Sequence, residues 1–149
     1  MRLIKLPKGK HQCLIYATAM LLDVEPSEII EILGHDGIDI WWPELAVPNC
    51  FRGVHIQEIL DVCAHFGYGL ICYQVMPRTS PFGRVDMVRN IFEVDKALER
   101  IDRYLKEPGL IVTDVHACAW DGESVYDPNG MITSIQSVAL KEFYLLKRI

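Results

Sequence analysis

The sequence predicts an α+β fold in one domain, with N-terminal helices packed on a C-terminal antiparallel sheet. Three observations lead there. Apolar side chains recur at helical spacing through most of the first two thirds of the chain. The last third instead carries short β-rich runs around turn signals. Helices come first and strands follow, which argues against a βαβ repeat. The 149 residues match one typical domain. No repeat, low-complexity tract or Ser/Gly-rich linker divides them, so 1–149 is read as a single unit.

The first helix is the run Cys13-Leu14-Ile15-Tyr16-Ala17-Thr18-Ala19-Met20-Leu21-Leu22, apolar on every side and therefore expected inside the core. Residues 23–26 break it, and Pro26 suits the first turn of the next helix. Residues 27–33 put Ile29, Ile30 and Leu33 on one face and stop at Gly34, a plausible C-cap. Residues 34–53 form a long connection carrying Trp41, Trp42, Pro43 and Pro48, and connections of that length are often functional. A third helix over about 54–66 carries the stripe Ile56, Ile59, Leu60 and Cys63 and ends at Gly67. Residues 68–76 read as a mostly buried strand, 77–84 as a surface loop, and 94–105 as a helix closed by Pro108-Gly109. Residues 110–113 begin the sheet. The runs 115–120 and 123–126 flank Asp121-Gly122, a strong hairpin signal, and 143–146 supply a final strand.

Composition narrows the function. Half the residues are apolar and 23% are charged, which excludes a disordered chain. Fifteen Lys and Arg against twenty Asp and Glu give a formal charge of −5, the wrong sign for a general nucleic-acid binder. The four basic residues among the first ten read as a solvated arm. No run approaches the roughly 20 apolar residues of a membrane span, and the N-terminus lacks the apolar core of a signal peptide. Five scattered cysteines do not resemble a disulfide framework. A reduced, cytoplasmic protein is expected.

Among those cysteines Cys13 stands out. It sits where a glycine-containing loop meets a buried helix, so unpaired N–H groups and the positive dipole end favour a thiolate. Cys63 lies on an apolar stripe, Cys72 in a strand read as buried, and Cys50 in a loop without a visible partner. The hairpin offers Cys13 a base. If Asp121 and Gly122 form its tip, cross-strand partners sum to 243, which sets Cys118 opposite Val125 and His116 opposite Asp127. Opposed residues share a face with Cβ atoms roughly 4.5–5.5 Å apart, so the Asp127 carboxylate can orient the His116 imidazole. Cys13, His116 and Asp127 are then nucleophile, base and orienter of activated-thiol catalysis.

Cys13 opening an apolar helix, His116-Ala117-Cys118-Ala119-Trp120, and Val125-Tyr126-Asp127-Pro128-Asn129-Gly130 together resemble the papain-like cysteine peptidases. The likeness is to the compact branch that includes peptidases processing double-glycine leader peptides and small phage-encoded relatives. In that family the order is Cys, His, then Asp or Asn, with the aspartate commonly in an Asp-Pro turn. The resemblance covers the first helix and the final third, and the middle only loosely. It implies a papain-like fold, the roles above for Cys13, His116 and Asp127, a peptide or protein substrate, and no metal or organic cofactor. The family commonly carries an oxyanion-hole Gln several residues before the cysteine. Here Gln12 immediately precedes it, and Leu6, Pro7 and Lys8 supply no amide side chain. The hole then falls to the Cys13 N–H with Gln12 or His11. That departure motivates the alternative, a binding protein of the same fold that has lost catalysis, such as a phage protein engaging a host factor in the host cytoplasm.

Other candidates carry less. His11-Gln12-Cys13 and His116-Ala117-Cys118 are two His-x-Cys pairs, but zinc sites usually space their ligands Cys-x2–4-Cys or His-x3–5-His, so no metal is assigned. Trp41 and Trp42 are candidate walls of a substrate cleft. His35 and His55 read as turn and helix-start residues.

Overall fold

The computed structural model describes residues 1–38, 41–42, 51–75, 99 and 101–149. Within them the chain is α+β. Three helices, α1 (Cys13–Leu22), α2 (Pro26–Leu33) and α3 (Ile56–His65), precede most of the strands. A two-stranded ribbon joins β1 (Trp41–Trp42) to β2 (Phe51–Arg52). The main sheet holds β3 (Tyr68–Gln74), β4 (Gly109–Val112), β5 (Ala117–Trp120), β6 (Val125–Asp127), β7 (Met131–Thr133) and β8 (Glu142–Arg148). Its spatial order is β3-β8-β4-β5-β6-β7, and every neighbouring pair is antiparallel. No helix among the described residues is long and apolar enough to cross a membrane.

The all-apolar α1 is buried as its composition requires: Ile15, Ala17 and Ala19 are inaccessible to solvent. Its end needs a left-handed residue, supplied by Asp23 at φ 58°. α2 starts with Pro26 and stops at Gly34, φ 76°, as the sequence anticipates. α3 is entered through His55, whose ring accepts the Gln57 N–H while Glu58 reaches back to the His55 N–H. This is a reciprocal capping box.

Both faces of the sheet are covered. Ala117 and Ala119 of β5, with Leu110 and Val112 of β4, pack against Ala17, Met20 and Leu21 of α1 and Ile59 and Cys63 of α3. The other face carries Ile111, Cys118, Trp120, Val125 and Phe143, with Leu105, Ile135 and Leu140 over them. The small residues at 117 and 119 let α1 lie directly on β5. Gly109 is required by a similar closeness, because a Cβ there would stand 2.5 Å from the Tyr144 carbonyl oxygen and 2.7 Å from the Phe143 ring.

Three expectations are corrected. The hairpin register pairs Ala119 with Tyr126 and Trp120 with Val125, a sum of 245 rather than 243. The loop is the four residues 121–124, because the Asp121 carboxylate accepts the Glu123 and Ser124 N–H groups and pulls the chain round. Val125 therefore faces Trp120, not Cys118. Secondly, Cys72 is exposed. β3 is an edge strand, and the helices cover Tyr68 and Leu70 but not the far half of that face. Thirdly, β7 follows β6 through the turn after Asp127 and extends the sheet by a strand the sequence did not suggest. Cys50, the loop 77–84 and half of 94–105 lie outside the described residues.

Candidate functional site

Cys13 is the first residue of α1 and is half-buried. The Tyr16 N–H donates to the Gln12 carbonyl as the first intrahelical bond (3.1 Å), and no side chain caps the helix. The N–H groups ahead of that bond have no intrahelical acceptor, and they lie at the positive end of the helix dipole. Gln12, only 6% exposed, turns its amide nitrogen to the Asp36 backbone carbonyl at 2.9 Å. It ties the chain after α2 to the start of α1.

His116 is delivered by the turn between β4 and β5, which a single threonine holds. Val112 pairs with Ala117, and the Thr113 Oγ1 accepts the His116 N–H at 3.0 Å. The Thr113 N–H donates to the His116 carbonyl at 2.8 Å. The His116 backbone is thus clamped from both sides before it enters β5. By strand alternation its side chain shares a face with Cys118 and Trp120.

Asp127 ends β6 in the turn Asp127-Pro128-Asn129-Gly130. Its Oδ1 accepts the Asn129 N–H at 2.8 Å, and its carbonyl accepts the Gly130 N–H at 2.9 Å. Gly130 has φ 96° and lies against the Lys5 side chain, while the Leu6 N–H donates to the Pro128 carbonyl at 2.7 Å. The basic arm is therefore strapped across this turn. The same Asp127 Oδ1 stands 2.8 Å from His116 Nε2, with the two side chains 17% and 25% exposed. Continuing the observed register puts Asp127 opposite Cys118 and diagonal to His116. The imidazole spans that diagonal, which is within reach of long side chains.

Both thiols bear on the ionisation of the same ring. Hydrogen bonding to Cys118 first, and to Cys13 next, raises the His116 pKa, and Asp127 adds to this while desolvation opposes it; the imidazolium is pushed up to about 11. Burial raises the Cys118 thiol, offset in part by His116. Suitable ligand atoms of His116, Cys118 and Asp127 all lie within 4.8 Å of one another.

The remaining candidates fall elsewhere. His11 is exposed beside Gly53, its carbonyl oxygen 3.5 Å from where a Cβ would be. Trp41 and Trp42 form β1, and their side chains lie outside the described residues. His35 accepts the Gly37 N–H on Nδ1 and bonds Glu58 through Nε2 at 2.6 Å, an arrangement that pins the chain after α2 to α3. Cys63 is fully buried, and desolvation pushes its thiol up to about 12. Sequence reasoning overlooked Thr113, which had a signal, since a threonine before a short polar turn commonly folds back on the backbone. Cys118 beside His116 was legible in the His-x-Cys spacing; its nearness to Asp127 was not, because that depends on the register.

No family model, curated protein or solved structure matches the chain.

Proposed function

We propose that the chain is a papain-like thiol hydrolase acting on an amide or peptide bond through Cys13, His116 and Asp127. What supports this is one imidazole held at 2.8 Å on Nε2 by the Asp127 carboxylate, with its ionisation raised by Cys118 and by the helix-starting Cys13 thiol. With Nε2 directed at Asp127, Nδ1 is the nitrogen that exchanges a proton with the nucleophile. Cys13 attacks the substrate carbonyl carbon as His116 holds the thiol proton. The tetrahedral oxyanion develops at the start of α1, where the Cys13 N–H is the donor. Collapse of the intermediate breaks the C–N bond, and His116 gives its proton to the leaving amine. Water then hydrolyses the thioester, with His116 as base. Asp127 keeps the ring oriented and favours its charged form. In this reading a reduced, cytoplasmic setting serves the thiol, and the substrate is a peptide or protein.

A second reading is a binding protein of the same fold without turnover, for instance a phage protein directed at a host factor. One observation favours it: the Gln12 amide nitrogen donates to the Asp36 carbonyl, which ties one of its two N–H donors to structure and turns the group toward the chain after α2. Loss of one such donor typically costs about 100- to 1000-fold in turnover.

A panel of activated esters and amides separates the two, read by mass spectrometry for an acyl adduct. Hydrolase chemistry requires an acyl group on Cys13 in the native chain, none in Cys13→Ala, and turnover that survives Cys118→Ser. Absence of any adduct leaves the binding protein. An adduct on Cys118 removes Cys13 from its role.

A further inference from the structure

The cluster around His116 holds one more strong ligand than acyl transfer uses. A thiol hydrolase needs an imidazole, an orienting carboxylate and one sulfur, yet Cys118 brings a second. Its position is not a packing accident of a loop. Cys118 and Asp127 project from adjacent strands of the sheet, and His116 stands two residues along on the same face as Cys118. The sheet fixes the Cβ atoms of Cys118 and Asp127, and the Thr113 turn fixes that of His116.

We propose that His116, Cys118 and Asp127 bind a zinc-class divalent cation, and that occupancy blocks the thiol chemistry by taking the imidazole. The ion-binding part stands on geometry alone, whereas the blocking part rests on the hydrolase reading above. The donors are one nitrogen, one sulfur and one carboxylate oxygen, a set that suits a borderline-soft ion and not magnesium or calcium. At ordinary zinc distances a tetrahedral ion spaces its ligand atoms about 3.3–3.8 Å apart. The observed mutual distances, all within 4.8 Å, need side-chain shifts of only about 1 Å to reach that. The His116–Asp127 contact at 2.8 Å must open slightly as its bridging proton leaves. Three protein ligands leave one position on the ion. Water can fill that position. Binding releases the Cys118 proton and any second proton on His116. The filled site then leaves Cys13 without its base.

The ligand set differs from the His-x-Cys pairs visible in sequence. His11 is exposed and takes no part, and Asp127 replaces it.

The test uses the full chain, reduced and stripped with chelator, titrated with cobalt(II) as spectroscopic probe and then with zinc. One equivalent of cobalt should give the visible bands of a tetrahedral ion with sulfur-to-cobalt charge transfer in the near ultraviolet, and zinc should abolish both. Cys118→Ser should remove most of the charge transfer. Asp127→Asn, which leaves the buried core untouched, should weaken binding by at least about tenfold, the loss that even an outer partner's removal produces. An octahedral spectrum without charge transfer, or equal affinity in the native chain and both variants, would overturn the site. Turnover measured in chelator is independent of these spectra. A chain that binds cobalt through Cys118 but never acylates keeps the site and loses the hydrolase. A chain that turns over in chelator and is unaffected by stoichiometric zinc loses the blocking role.

Discussion

Replacing Asp127 tests how the site is assembled, because one oxygen atom serves two structures. Oδ1 lies 2.8 Å from His116 Nε2 and accepts the Asn129 N–H, also at 2.8 Å. Asp127→Asn keeps a side-chain oxygen for the turn and removes the charge from the imidazole. A hydrogen bond to a charged partner contributes about 1.5–3 kcal/mol, and this pair is shielded, with 25% and 17% of the side chains exposed. At about 1.4 kcal/mol per tenfold, acylation by an activated ester should slow roughly 10- to 150-fold while the turn bond is kept. The pH profile should move as well. With Cys118, Cys13 and Asp127 all raising it, His116 sits at about 11, so the native rate should hold well above the ordinary imidazole range before falling. In Asp127→Asn that alkaline fall should begin earlier. Asp127→Ala loses the turn bond too, at about 1 kcal/mol, which for a chain of this size lowers the melting temperature by roughly 2–4 °C. If Asp127→Asn acylates at the native rate and Asp127→Ala only melts earlier, Asp127 is a turn residue. The orienting role would then be wrong.

Three further outcomes follow from the geometry. Gly109→Ala drives a Cβ to 2.5 Å from a backbone oxygen between two central strands, and should destabilise by more than about 2 kcal/mol in chemical denaturation; a native midpoint would mean the strands are not this close. Gln12→Ala should lose about 1 kcal/mol of stability with its bond to Asp36 and change acylation less than tenfold, whereas a 100-fold loss would make Gln12 an oxyanion donor. Cys63 ionises near 12 when folded against 9.0 otherwise, so above pH 9 the unfolded chain loses a proton that the folded chain keeps. Stability should therefore fall between pH 9 and about 12, and Cys63→Ala should flatten that part of the decline; an unchanged slope would sink the assignment.

What the sequence could and could not convey differs between elements. The burial of α1 was legible because an all-round apolar decamer has no solvent face, and the helix ends were written in Pro26, Gly34 and Gly67. The His116–Asp127 contact was reached through a register that proved wrong by two. It survived because side chains alternate with a period of two, so such a slip keeps each residue on its face and turns an opposed pair into a diagonal one. Gly122, with φ 108°, does lie in the turn, but Asp121 closing onto Ser124 made the loop longer than the dipeptide suggests. Cys118 changed neighbours for the same reason, from Val125 to Asp127. Cys72 misled because local pattern cannot tell an edge strand from a central one. The order of strands, with β8 inserted between β3 and β4, is decided by long-range pairing that no local window contains.

The central claim is that His116 activates Cys13, and alkylation rates of the individual cysteines in the native chain test it most directly. Cys118 and Cys63 are 2% and 0% exposed, while Cys72 is exposed and Cys13 only half-buried. Accessibility alone would make Cys72 react first. Reduced, chelator-treated protein given limiting iodoacetamide near neutral pH, then digested and mapped by mass spectrometry, should carry the label on Cys13 ahead of Cys72. That preference should vanish in His116→Ala. Label on Cys72 first, with Cys13 no faster in the native chain than in His116→Ala, would contradict the account.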